Sequence, residues 1–141
     1  MPIYTECLTD TAARIIEKIE GATGLVGGKN LTQYHMTAQL PAASLSISGG
    51  QTDDIPGCAV TTLRMTATIE GRFKTVADAQ RFAMEVCSIF PVRNAGPIES
   101  FHLSSPPTFE TRMERLANQE REAMVYRVTI PAEVAFTVAN G

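Results

Sequence analysis

The sequence predicts an α+β domain, with two helices packed on one face of a mainly antiparallel sheet. Three observations carry that expectation. Leu63, Met65, Ala67 and Ile69 alternate with Arg64, Thr66, Thr68 and Glu70, the period of a half-buried strand. Val76, Ala79, Phe82, Ala83, Val86, Ile89 and Phe90 recur at helical spacing immediately afterwards. Apolar helical and alternating segments follow each other in the order helix, strands, helix, strands, without a regular strand–helix alternation. The chain has 141 residues, enough for a single domain that buries about 68–70% of its unfolded surface.

The first helix is expected over Thr5–Glu20, where Leu8, Ala12, Ile15, Ile16 and Ile19 form the apolar stripe and Gly21 supplies a cap. "GATGLVGGKN" is a glycine-rich connection. "YHMTAQL" and "ASLSIS" alternate weakly and read as short strands on either side of Pro41, and "GGQTDDIPG", Gly49 to Gly57, reads as a mobile loop. The long strand "TTLRMTATIEGRF" follows and is expected to stop at Gly71. Thr75 with Asp78 then forms a capping-box variant opening a helix to Phe90, closed by Pro91. "IESFHL" is a further strand. Met124–Val138, rich in Val, Tyr, Thr and Phe, is the last, split or bent at a sheet edge by Pro131.

Composition bounds the function. The net charge is −3, which offers no broad basic face for sequence-specific nucleic-acid binding. Cys7, Cys58 and Cys87 are odd in number and widely spaced, which favours a reducing compartment over a disulfide framework. The start "MPIYTECLTD" lacks the basic-then-apolar pattern of a signal peptide. The uncharged stretch between Lys29 and Asp53 is interrupted by Gln33, His35, Gln39, Ser44 and Ser46, so it does not read as a membrane span.

Chemistry is sparse. "GLVGGKN" falls short of a phosphate-binding loop: Thr23 stands where the first glycine belongs, Asn30 replaces Ser or Thr, and a helix precedes it. His35 and His102 lie far from any metal-binding pattern, and Cys87 sits beside the apolar stripe as a packing residue would. Asp53 and Asp54 fall in a Gly/Pro loop that faces water. The expectation is therefore no catalytic residue, no cofactor and no metal.

The charged stretch Phe109–Ala123 mixes Arg112, Glu114, Arg115, Glu120, Arg121 and Glu122. Phe109, Met113 and Leu116 suit a short amphipathic helix with a solvated face, while the same stretch also suits a long excursion that pairs with a neighbouring subunit. Mobile segments are expected near 49–59 and 104–123.

The order "LPAASLSISGGQTDD", "TTLRMTATIEGRF", "TVADAQRFAMEVCSIFPV" resembles the tail terminator (minor tail) proteins of phages with long non-contractile tails. "SSPPTFETRMERLANQEREAMVYRVTI" resembles that family's charged loop leading into a last strand, although this chain continues past Ile130 into "AEVAFTV". The resemblance implies a structural protein that forms a hexameric ring, which caps the tail tube, halts its polymerisation and meets the head-completion proteins. If the Phe109–Ala123 stretch orders only against a partner, the entropy of ordering it would keep isolated subunits monomeric until a tube end supplies a template. It would assemble in the host cytoplasm and reside in the virion tail, with DNA passing through the ring. Arg112, Glu114, Arg115, Glu120, Arg121, Asp53 and Asp54 are the candidate subunit or partner contacts. Two other readings stand beside this one: a head–tail connector or tail-completion protein, and a small ligand-binding or enzymatic α+β domain with its site between helices and sheet.

Overall fold

The computed structural model describes residues 2–36, 39–53, 60–115 and 121–139, apart from the side chains of 2–5, 51–53, 60 and 139. Its elements are α1 (Pro2–Thr23), β1 (Leu31–Gln33), β2 (Ala42–Asp53), β3 (Val60–Phe73), α2 (Val76–Cys87), β4 (Val92–Ala95), β5 (Ile98–Leu103), β6 (Thr108–Arg115) and β7 (Glu122–Ala139). The seven strands form one sheet in the order β1-β2-β3-β7-β5-β4, with β6 also paired to β7. Every described pairing between these strands is antiparallel except β1 with β2. Both helices cover the same face, so the α+β expectation holds.

The centre is the β3–β7 ladder, in register from Val60↔Ala139 to Phe73↔Tyr126. Met65, Ala67 and Ile69 are buried and Leu63 packs against them from a half-buried position. Val128, Ile130, Val134 and Phe136 on β7 point the same way, toward Ile15 and Ile19 of α1 and Phe82 and Val86 of α2. Arg64 and Thr66 are exposed on the opposite face and Thr68 is half-buried there. The strand phase is as expected from the alternation.

Gly71 is not a stop. The strand runs on to Phe73, and Gly71 sits inside it under two aromatic rings: a Cβ there would lie 2.6 Å from Phe73 Cε2 and 2.9 Å from Phe82 Cε2. The Phe73 and Phe82 rings meet in a tilted contact at 5.0 Å between centroids, over the gap that the missing side chain leaves. The close approach of α2 to β3 therefore depends on this glycine.

Several boundaries move for identifiable reasons. α1 continues through Gly21 to Thr23, because Gly24 at φ +77° takes the left-handed position and donates to the Glu20 carbonyl at 2.9 Å. The expected strand "YHMTAQL" is replaced by Leu31–Gln33, since Tyr34 adopts φ +69° and turns the chain out of the sheet; 37–38 lie outside the described residues. The expected loop from Gly49 is in part strand: Gly49 at φ +72° opens a bulge between Ser48 and Gln51, and β2 then resumes pairing to Asp53. Residues 54–59 lie outside the description.

α2 begins as read, with Thr75 Oγ1 accepting from the Asp78 amide at 3.1 Å, but ends at Cys87 rather than Phe90. Phe90 leaves the helical path and packs, tilted, against Phe101 of β5 with ring centroids 4.6 Å apart. β4 (VRNA), which carries no alternation to announce it, pairs with β5 across the two-residue Gly96–Pro97 turn.

Two corrections concern the C-terminal half. Pro131 does not mark an edge; β7 is an unbroken strand flanked on both sides. The Pro131 carbonyl accepts from the Ser104 amide at 3.1 Å, so its nitrogen faces the junction where β6 ends and β5 begins along β7. No ladder donor is required there, which is why proline is tolerated. In place of the helix considered from Phe109 onward, the strand β6 runs over Thr108–Arg115, part of the segment expected to be mobile; 116–120 lie outside the described residues.

Candidate assembly surface

β6 and the first residues of β7 form a hairpin arm that runs past the end of β3. β3 stops at Phe73, opposite Tyr126, whereas β6 follows β7 from Thr129 back to Glu122. The register sorts the arm into two faces. Phe109↔Val128, Thr111↔Tyr126 and Met113↔Met124 share the helix-side face, and Glu110↔Arg127, Arg112↔Val125 and Glu114↔Ala123 share the other. Over β3 the helix-side face is roofed by α2. On the arm it is open: Phe109 and Met113 are each 53% exposed and Met124 45%. Beside them Met84, on the outer flank of α2, is 74% exposed, and an apolar groove of about 390 Å³ runs between Ala83, Met84, Cys87, Pro107 and Phe109. These large apolar side chains form a ridge on the helix side of the sheet, at its β6 edge.

The predicted contact residues occupy the arm in part. Arg112 is exposed, and its Nε donates to Glu110 Oε1 at 2.6 Å; that hydrogen bond raises the guanidinium pKa from its ordinary value. Glu114 is half-buried and accepts from Arg72 Nη2 at 2.9 Å, which ties the arm to the end of β3. Glu114 Oε2 is buried with no hydrogen-bond partner among the described residues. Arg115, paired in register with Glu122, and Arg121 are both exposed. Glu120 and Asp54 lie outside the described residues. Asp53 is on β2 opposite Thr62, about 30 Å along the sheet from Arg72 at the usual rise per strand residue. The structure thus gathers the arginines and Glu114 on one arm and leaves Asp53 at the far end.

The sequence places Phe109 and Met113 on the stripe of a short helix, and nothing in it brings Met124 to the same face. The signal was present: Phe109, Thr111 and Met113 alternate with Glu110, Arg112 and Glu114, a period of two. Phe109, Met113 and Leu116 also fit a helical spacing, and only the pairing with β7 decides between the two.

At the opposite edge of the sheet a second concavity, of about 580 Å³, lies between α1, the glycine loop and β1. Ala13, Ile16 and Leu31 supply its apolar lining, with Glu20, Gln33 and His35 among its polar groups. Glu20 Oε2 accepts from the Gly27 amide at 2.9 Å and holds the glycine loop against the helix. His102 is exposed on β5, and the structure does not bring it to His35. Cys7 and Cys87 are half-buried, with burial pushing the Cys87 thiol pKa up, and Cys58 lies outside the description. Among the described residues no group of three or more His, Cys, Asp or Glu is placed to hold a metal ion. No helix among them is long and apolar enough to cross a membrane.

No family model matches the chain, and no curated protein matches it. Among solved structures, a chain from the virion of a native gene transfer agent particle aligns with a TM-score of 0.48 at 10% identity, over 89% of this chain and 92% of that chain.

Proposed function

We propose that the chain is a structural subunit of a phage-like virion, one that ends the growing tail tube and presents a surface to the head-completion proteins. It works by assembly and not by turnover, and calls on no cofactor or metal. The observation that carries this reading is the arm: the helix-side face of the sheet, covered over β3, continues onto β6 and β7 with Phe109, Met113 and Met124 uncovered. Contiguous apolar surface of this kind marks an interaction site. A rigid central ladder projecting an arm suits a subunit whose task is to place surfaces. The layout by which the sequence resembles tail terminators supports the same reading: an N-terminal helix, a strand led by Pro41, the long β3, and a helix closing just ahead of Pro91.

Its partners on this reading are further copies of itself in a ring, the tail-tube protein and the head-completion protein, with DNA passing through without being read. It assembles in the host cytoplasm and remains in the virion tail. The test is deletion of the gene from its phage or prophage. Tails of uncontrolled length, or tails that fail to join heads, are expected; normal tails joined to heads would overturn the reading.

A further inference from the structure

We propose that the Met113–Met124 ridge of one copy seats in the groove between α1 and the glycine loop of a second copy. This contact rests on the assembly reading and names its first partner. The two surfaces sit at opposite edges of one sheet, the ridge on β6 and the groove beside β1. The ridge exposes its apolar side chains and the groove is concave, with Ala13, Ile16 and Leu31 as the apolar part of its lining. Unbranched thioether side chains adapt to an irregular cleft better than branched ones do. The Glu20–Gly27 hydrogen bond fixes the glycine loop against α1, so one wall of the cleft is already ordered before docking.

Charge favours the same pairing. Arg115 and Arg121 are exposed on the arm with no carboxylate at ion-pair distance among the described residues. Glu17, exposed next to Ile16, one turn from Ala13 and followed by the exposed Lys18, has no cation at that distance among the described residues. Lys29, exposed at the end of the glycine loop, is opposite in sign to Glu122 beside Arg115. Because ridge and groove are different surfaces, each copy offers both, and the contact is head-to-tail. Such contacts close into a ring when the rotation between copies permits and extend as a filament when it does not.

The purified full-length chain decides this by solution mass against concentration. The wild type is expected to associate as concentration rises toward about 1 mM, the weak end of specific binding. Met113→Glu on the ridge and Ala13→Arg in the groove should each remain monomeric. Their equimolar mixture should form a two-chain species that grows no further, since one intact ridge meets one intact groove. Both positions are exposed, so the thermal melts of the single variants should match the wild type. If either melt falls, Arg115→Glu with Glu17→Arg provides the second arm: each alone weakens association at low salt and the pair restores it.

A wild type that stays monomeric overturns the contact. So does association abolished by the ridge change but untouched by the groove change, which would mean ridge against ridge. A mixture of the two variants that stays monomeric also overturns it. None of these outcomes bears on tail length after gene deletion, so this contact and the virion reading fail separately.

Discussion

Arg72 donates through Nη2 to Glu114 Oε1 at 2.9 Å, joining β3 to β6 across the intervening β7. Arg72 also stands directly opposite Arg127 in the β3–β7 register, so two like charges face each other. Each has a carboxylate at hand, Glu114 for Arg72 and Glu70, at 3.8 Å, for Arg127. The first pair is the shorter and the more buried, and it is a side-chain tie between the arm and the body of the sheet.

Removing that tie should be felt. Glu114→Ala is expected to cost about 1.5–3 kcal/mol, the range for a hydrogen bond to a charged group whose partner is left poorly solvated. Glu110→Ala, which breaks the exposed pair with Arg112, should leave the urea midpoint unchanged within error. Denaturant titrations in which Glu110→Ala proves the more damaging would reject this account of the arm.

Phe82 is 2% exposed at the centre of the α2 contact. Phe82→Ala should cost about 3–5 kcal/mol through lost burial and the cavity left behind. Thr75→Ala, which removes the N-cap bond to the Asp78 amide, should cost about 0.5–2 kcal/mol. Urea titration of both variants checks the order, which must not reverse.

Gly71 makes a sharper demand. Gly71→Ala is expected to destabilise by about 1–3 kcal/mol, although alanine costs less chain entropy, because its methyl group meets the Phe73 and Phe82 rings. Combining Gly71→Ala with Phe82→Leu should cost less than the sum of the two single changes, since both act on one volume. Strict additivity in a double-mutant cycle would show that the rings do not depend on the glycine.

Burial raises the Cys87 pKa, so its reactive thiolate should form at higher pH than that of an ordinary thiol. In a chain with Cys7 and Cys58 replaced by serine, the rate of alkylation is expected to rise later with pH than for an unstructured cysteine peptide. An equal or earlier rise would contradict the environment described for this residue. On the assembly reading, all three cysteines, His35 and His102 are dispensable as chemical groups.

Reversing Arg112, Arg115 and Arg121 together to Glu should leave the melting of the isolated subunit nearly unchanged, because all three are exposed. In the virion the same change is expected to give overlong tails or tails without heads. Electron microscopy showing tails of normal length joined to heads would remove these arginines from the contact.

The sequence alone determined the helix stripes, the Thr75 cap and the phase of β3. Each depends on residues within one or two turns or a few strand positions, so period and capping chemistry are sufficient to read them. Ile15, Ile19, Phe82 and Ile69 fall in the core for that reason. Tertiary pairing decided what local chemistry left degenerate. Phe109–Arg115 satisfies both a helical and an alternating pattern, and only hydrogen bonding to Glu122–Thr129 makes it a strand with Phe109 and Met113 on one face. Pro131 reads locally as a strand breaker, yet sits in the central strand because the side that lacks its donor falls between β5 and β6. Gly71 reads locally as a terminator and is instead the space that two rings from distant positions require. The same holds for the candidate surface: the arginines were legible as charge, but the ridge and the groove at opposite edges exist only once β7 has been paired on both sides, because surface shape is a property of the assembled sheet.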